Sequence, residues 1–262
     1  VSDETKPREP GLPESSAPRD SPDKAGWQPE MGIAQEEQSL PTTEDRALAL
    51  LQEPDLNPLA IEQLVRKGGS LKLRNVQCAV IAHPRTPRHI ARPLLRQIYT
   101  FDLMQIALSP VVAGDLKRAA DETLCNRLAT ISSGERLSLA RRGSGRVAAT
   151  LLLDPEARVM RAALENARLT EAHIIQAITR AGSKTSFIEA VCHHPQWSLR
   201  REVRVALLRH EKTPMGRAVE FGRGLPAAQL REILENSRLP ENIKAYLMRD
   251  MSKRSRGASA GF

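Results

Sequence analysis

The chain is poor in aromatic residues: Phe, Trp and Tyr make up 3% of its 262 positions. Convincing runs of alternating β-branched residues are also missing. Both absences argue against a β-sandwich or barrel, whose inner faces need such side chains. Cysteine is scarce. Cys78, Cys125 and Cys192 lie far apart and form no CxxC pair. A disulfide framework is therefore not expected, which favours a reducing, cytoplasmic location. No run approaches the roughly eighteen apolar residues of a membrane-spanning helix. The N-terminus lacks the basic and apolar regions of a secretory signal, so none is expected.

Charge is abundant but uneven. The whole chain carries a net +8. Residues 1–46 hold 11 Asp and Glu against 5 Lys and Arg, a net of −6, so residues 47–262 carry +14. Residues 1–42 are acidic, rich in Pro and Ser and almost without apolar pattern. They read as a disordered tail, because too little apolar surface is available to offset ordering entropy. Residues 43–251 read as the folded part and residues 252–262, with Lys253, Arg254 and Arg256, as a flexible basic tail. Ala, Leu and Arg dominate the folded part, a helical composition that also points to a GC-rich bacterial genome.

One motif recurs along the folded part. It reads Val76-Gln-Cys-Ala79-Val-Ile-Ala-His83, then Val159-Met-Arg-Ala162-Ala-Leu-Glu-Asn166, then Val203-Arg-Val-Ala206-Leu-Leu-Arg-His210. A degenerate copy, Leu116-Lys-Arg-Ala119-Ala-Asp-Glu-Thr123, fills the longest gap. From Asn166 to His210 is 44 residues, and from His83 to Asn166 is 83, about two such steps. Self-similarity at a fixed period of this length marks a repeat array. A second ladder of helix stops, at Gly68-Gly69, Ser109-Pro110, Asp154-Pro155, His194-Pro195 and Asn236-Ser237, runs out of phase with the first.

Three helices then fill each period. The clearest unit is predicted as Gly145–Leu153, Ala157–Glu165 and Glu171–Arg180. The next is Ser186–His193, Ser198–Arg209 and Pro214–Phe221. Apolar residues at helical spacing support this, for example Ile243, Tyr246, Leu247 and Met251. Ser186 and Glu189 have the spacing of a capping box. Pro87, Pro214 and Pro240 sit where a first helical turn tolerates proline. The recurring His or Asn after the motif is expected to be a helix C-cap, and Arg85, Arg168, Lys212 and Arg238 to complement helix C-terminal charge.

Few stretches carry chemistry. Arg141-Arg142-Gly143-Ser144-Gly145-Arg146 resembles an anion-binding turn, but it has no GxxxxGK[ST] pattern and no strand before it. An inter-repeat turn is the simpler reading. Cys192-His193-His194 offers metal-ligand types, yet adjacent helical residues diverge and zinc needs about four ligands in a set geometry. No Ser-His-Asp, paired-carboxylate or HExxH arrangement stands out, so neither catalytic residues nor a cofactor is expected. Trp197, Arg200, Arg201 and Arg204 are the best partner-binding candidates, since Trp and Arg dominate interface hot spots. Against that stands a reading in which Trp197 wedges between repeats.

A three-helix unit of about forty-two residues resembles the HEAT and armadillo families of α-solenoids. The turns Asp154-Pro155-Glu-Ala-Arg158-Val159 with Ala162 carry the HEAT-like part, and Asn-x-x-Leu-Thr turns look similar to bacterial leucine-rich-repeat-variant proteins. The resemblance implies an all-α, right-handed superhelix of about four and a half repeats with a concave gripping face. The expected function is a non-enzymatic scaffold for an unidentified protein partner. The alternative is nucleic-acid binding through Arg141, Arg142, Arg146, Arg200, Arg201 and Arg204, supported by the +14 charge.

Overall fold

A computed structural model describes residues 43–67 and 72–259, with side chains for 43–66 and 72–254. The acidic tail 1–42 and the Gly68-Gly69 stop lie outside the described residues. Among the described residues the fold is all-α, with fifteen α-helices. No helix among them is long and apolar enough to cross a membrane.

The helices are short. The first five are α1 (Glu44–Leu51), α2 (Pro58–Lys67), α3 (Arg74–Ala82), α4 (Arg88–Leu95) and α5 (Thr100–Leu108). Next come α6 (Gly114–Arg127), α7 (Ser133–Arg142), α8 (Gly145–Leu151), α9 (Ala157–Leu164) and α10 (Glu171–Thr179). The last are α11 (Thr185–His193), α12 (Arg201–Leu208), α13 (Met215–Arg223), α14 (Ala227–Glu235) and α15 (Glu241–Ser259). The 3₁₀ turn Trp197–Leu199 precedes α12. Most are too short to persist alone in water, so packing must hold them. In α9, Val159, Met160, Ala162, Ala163 and Leu164 are all buried. The paired Val and small Ala of the motif face inward in α9 and α12, while in α3 Val76 is buried and Ala79 half-buried.

Every substantial helix–helix contact joins helices adjacent in the chain or next but one. One series links α1 to α3 and α5, α7 to α9 and α11, and α13 to α15. The other links α4, α6, α8, α10, α12 and α14. The packing step is thus two helices: α1, α3 and α5 start at residues 44, 74 and 100. The sequence motif instead falls on α3, α6, α9 and α12, every third helix, and so alternates between the two series.

Side chains beyond the helix ends tie each helix to the one two before it. His83, after α3, accepts the N–H of Arg85 on Nδ1 and donates from Nε2 to the carbonyl of Glu53, just past α1 (2.9 Å). Asn166, after α9, accepts the N–H of Arg168 and donates to the carbonyls of Ala140 (2.7 Å) and Gly143 at the end of α7. Lys212, after α12, donates to the carbonyl of Ser183 beyond α10 at 2.7 Å. Trp197 Nε1 donates to Leu164 O at the end of α9 (2.9 Å). At the end of α6, Arg127 reaches Ile98 O and Arg96 O beyond α4. The acceptors are carbonyls at or just beyond the end of the earlier helix, where backbone groups lack intrahelical partners.

Several local expectations change. His83 is the C-cap of α3, as expected, with extended backbone geometry, but Glu165 and Arg209 rather than Asn166 and His210 take the C-caps of α9 and α12. The Ser186–Glu189 capping box does not form: α11 starts at Thr185 with Lys184 at the N-cap, so Ser186 already lies inside the helix. The boxes that do form are Ser132 with Glu135 and Thr170 with His173. The degenerate copy does not end at Thr123, whose hydroxyl bonds Ala119 O within α6. Pro87 and Pro214 occupy the N-cap, one position earlier than expected. Pro240 likewise immediately precedes α15. That last helix runs through Ser259, well past Met251, so the basic C-terminal segment is helical over most of its length. Arg254 anchors it by pairing with Asp250 one turn back (3.3 Å) and donating to Arg223 O at the end of α13.

Candidate anion-binding groove

Helices α4, α6, α8 and α10 form successive walls of the second series, and two cavities open between them. The first, about 520 Å³, lies between α8 and α10. Arg146 and Thr150 of α8, with Leu153 just beyond it, face His173, Gln176, Ala177 and Arg180 across it. The second, about 510 Å³, lies between α4 and α6. Arg92, Leu95 and Arg96 face Asp115, Arg118, Ala119, Glu122 and Asn126 there, and Arg146 closes one side. Arg146 lines both, so the cavities meet at its side chain.

The charge balance follows from which groups are already paired. Asp115 is held by Arg88, Nε to Oδ2 at 2.9 Å. Arg92, Arg96, Arg118, Arg146 and Arg180 are exposed and take part in no ion pair or side-chain hydrogen bond. Glu122 is the one unpaired carboxylate on the lining. Arg96 and Arg180 also cap the C-terminal ends of α4 and α10. Apolar patches from Leu95, Ala119, Ala149, Leu153 and Ala177 alternate with these cations.

The wall between the cavities is fixed by two polar links from α6 to α8. Ser144 donates to Asp121 Oδ1 at 2.6 Å while capping α8, and Cys125 Sγ lies 3.5 Å from Thr150 Oγ1. Burial pushes the Asp121 carboxyl above its ordinary range, while the Ser144 hydroxyl and Arg146 pull it the other way. Burial likewise pushes the Cys125 thiol up.

Of the candidate binding residues singled out in the sequence, Arg146 alone lines these cavities. Arg141 and Arg142 sit at the exposed end of α7. The glycines beside them are explained by packing. A Cβ on Gly143 would lie 2.5 Å from Leu139 O, and one on Gly145 would lie 2.3 Å from Arg168 O. The stretch is an inter-helix turn, and its Ser144 hydroxyl is spent on Asp121 and the α8 cap.

The Trp197 cluster is divided. Trp197 is 3% exposed and wedged under the end of α9. Arg204 is half-buried, donates to Ser198 O at 2.6 Å and lies over the Phe221 ring, 5.6 Å from its centroid. Arg200 is exposed, and Arg201 is exposed with a bond to Gln229 (3.0 Å). Cys192 turns into the core, His193 donates from Nδ1 to Glu189 O, and His194 accepts the N–H groups of Gln196 and Trp197.

Sequence reading missed Arg92, Arg96, Arg118 and Arg180. The i,i+4 pair Arg92 and Arg96 on one helix face is the available signal. Nothing in linear spacing aligns them with Arg118, Arg146 and Arg180. Comparisons with protein families, with curated proteins and with solved structures find no match to this chain.

Proposed function

We propose that this chain is a non-enzymatic scaffold, an α-solenoid of the HEAT and armadillo kind that binds a second protein across the groove from α4 to α10. The observation that carries the reading is the groove lining. Unpaired arginines alternate there with apolar and amide side chains over four consecutive helices of one series. Such a mixed surface suits a protein segment, which offers both kinds of group.

Contacts confined to neighbouring and next-but-one helices support the solenoid, since stacked repeats touch only their neighbours. The two-helix packing step favours a two-helix unit over the three-helix unit of about forty-two residues. Support for a non-catalytic role comes from the histidines and thiols. His83, His173, His194 and His210 each accept a backbone N–H that shapes a turn. All three thiols are pushed up by burial, away from the reactive thiolate. Free cysteines are in keeping with a reducing, cytoplasmic setting.

Affinity capture with nuclease treatment tests this reading. A protein retained by the native chain and by Arg249→Glu on α15, but released by Arg146→Glu with Arg180→Glu, supports it. Failure to retain any protein across several growth conditions would sink it. A second reading, nucleic-acid binding, draws on the +14 carried by residues 47–262 and on the five unpaired arginines. Retention that nuclease abolishes would favour that one.

A further inference from the structure

We infer that the occupant of the α4–α10 groove is an extended acidic protein segment with spaced carboxylates, gripped on both sides of Arg146. This deepens the scaffold reading and rests on it. Three observations carry it.

First, the free charge on the lining is of one sign with a single exception: Arg92, Arg96, Arg118, Arg146 and Arg180 against Glu122. Guanidinium groups bind carboxylates through paired N–H donors, and exposed ones keep that capacity for a ligand. Electrostatic complementarity of this kind sets partner choice and encounter rate.

Second, the exception discriminates between polyanions. Asp115 and Glu122 both line the α4–α6 cavity. A nucleic-acid backbone carries a charge at every nucleotide and would have to run a phosphate past the unpaired carboxylate of Glu122. A peptide can place a neutral or basic residue at that point and keep its acids for the arginines. No aromatic ring of Phe, Tyr or Trp lines either cavity, so base stacking has no platform.

Third, the two cavities are held in fixed register. The Ser144–Asp121 bond and the Cys125–Thr150 contact lock α6 to α8 beneath Arg146. Arg146 therefore serves both cavities without either wall moving. A ligand that fills both must pass Arg146, which makes that residue the selectivity point.

The test measures fluorescence anisotropy of the full chain with three labelled probes at low and physiological salt. The probes are a peptide of glutamates spaced by glycine and leucine, its glutamine counterpart, and single-stranded DNA of matched length. The inference expects the acidic peptide to bind more tightly than both others. Arg146→Glu should weaken it by at least about tenfold, while Arg249→Glu leaves it unchanged. Glu122→Gln should tighten DNA binding more than peptide binding, narrowing the preference. Equal or tighter DNA binding by the native chain overturns the inference, as does peptide affinity indifferent to Arg146→Glu. If a cellular protein is captured and Arg146→Glu with Arg180→Glu releases it, yet the acidic peptide binds no better than its glutamine counterpart, the scaffold stands and this inference alone falls.

Discussion

Asn166 Nδ2 lies 2.7 Å from the carbonyl oxygen of Ala140, 26 residues earlier in the chain. The same side chain accepts the N–H of Arg168 at 2.8 Å. One buried amide thus shapes the turn after α9 and closes the end of α7. An amide can do this because it carries a donor and an acceptor at once. Histidine does the same at position 83, with hydrogen on Nε2 and the lone pair on Nδ1.

Replacing Asn166 should be costly in a way that depends on which half is removed. Asn166→Ala leaves buried carbonyls and an N–H unpaired and should lower stability by about 1–3 kcal/mol. Asn166→Asp keeps the acceptor for Arg168 but sets a carboxylate against two carbonyl oxygens, so it should cost more than Asn166→Ala. Urea unfolding midpoints, at unchanged slope, would check the order.

Two glycines should respond in opposite directions to alanine. At Gly145 the added carbon would meet Arg168 O at 2.3 Å, so Gly145→Ala must displace backbone and destabilise by more than about 1 kcal/mol. At Gly134, in the first turn of α7, nothing lies within 4 Å. Gly134→Ala should stabilise by about 0.4–1 kcal/mol through the unfolded chain. Thermal melting of the two variants beside the native chain would separate them.

Acid should weaken the fold through two rings. Burial pushes the imidazoles of His194 and His210 below their ordinary value of 6.5; Glu165 opposes this at His194, Glu211 at His210. Below 6.5 the unfolded chain takes up protons that the folded chain resists, so stability falls as pH drops through that window and is full above it. The native chain should lose more stability between neutral and mildly acidic pH than a His194→Asn, His210→Asn double variant. Equal losses in paired urea titrations would refute the assignment.

Thiol labelling should report burial. Desolvation pushes the Cys192 thiol up to about 11 and also raises those of Cys78 and Cys125. Because the thiolate is the reactive form, all three should label slowly at neutral pH and Cys192 slowest. Denaturant should make the three equivalent. Mass spectrometry of maleimide-treated protein against time would rank them.

Helix positions were largely legible from sequence because their signals are local. The apolar spacing predicts Ala157–Glu165, and α9 spans Ala157–Leu164; it predicts Glu171–Arg180, and α10 spans Glu171–Thr179. Proline after Ser109 and His194, and the apolar spacing between them, act within one or two turns of chain. Ser186 misled because a capping pattern shows which side chain can cap, while the packing of Phe187, Ile188 and Val191 fixes where the helix starts. The groove was illegible for a different reason. Its arginines stand on four helices, and their alignment follows the two-helix packing step, whereas the motif recurs at every third helix.

Composition and local pattern by themselves determined that this protein is helical, where most of its helices stop, and which residues are apolar enough to be buried. These depend on backbone sterics and on periodicity within a single helix. Tertiary structure alone decided that Trp197 and Arg204 serve the interior, that His83 and Asn166 reach back to earlier helices, and that Arg92 and Arg118 line one cavity and Arg180 another, with Arg146 in both. Those outcomes depend on how neighbouring helices stack. Stacking brings together side chains that linear spacing leaves unrelated.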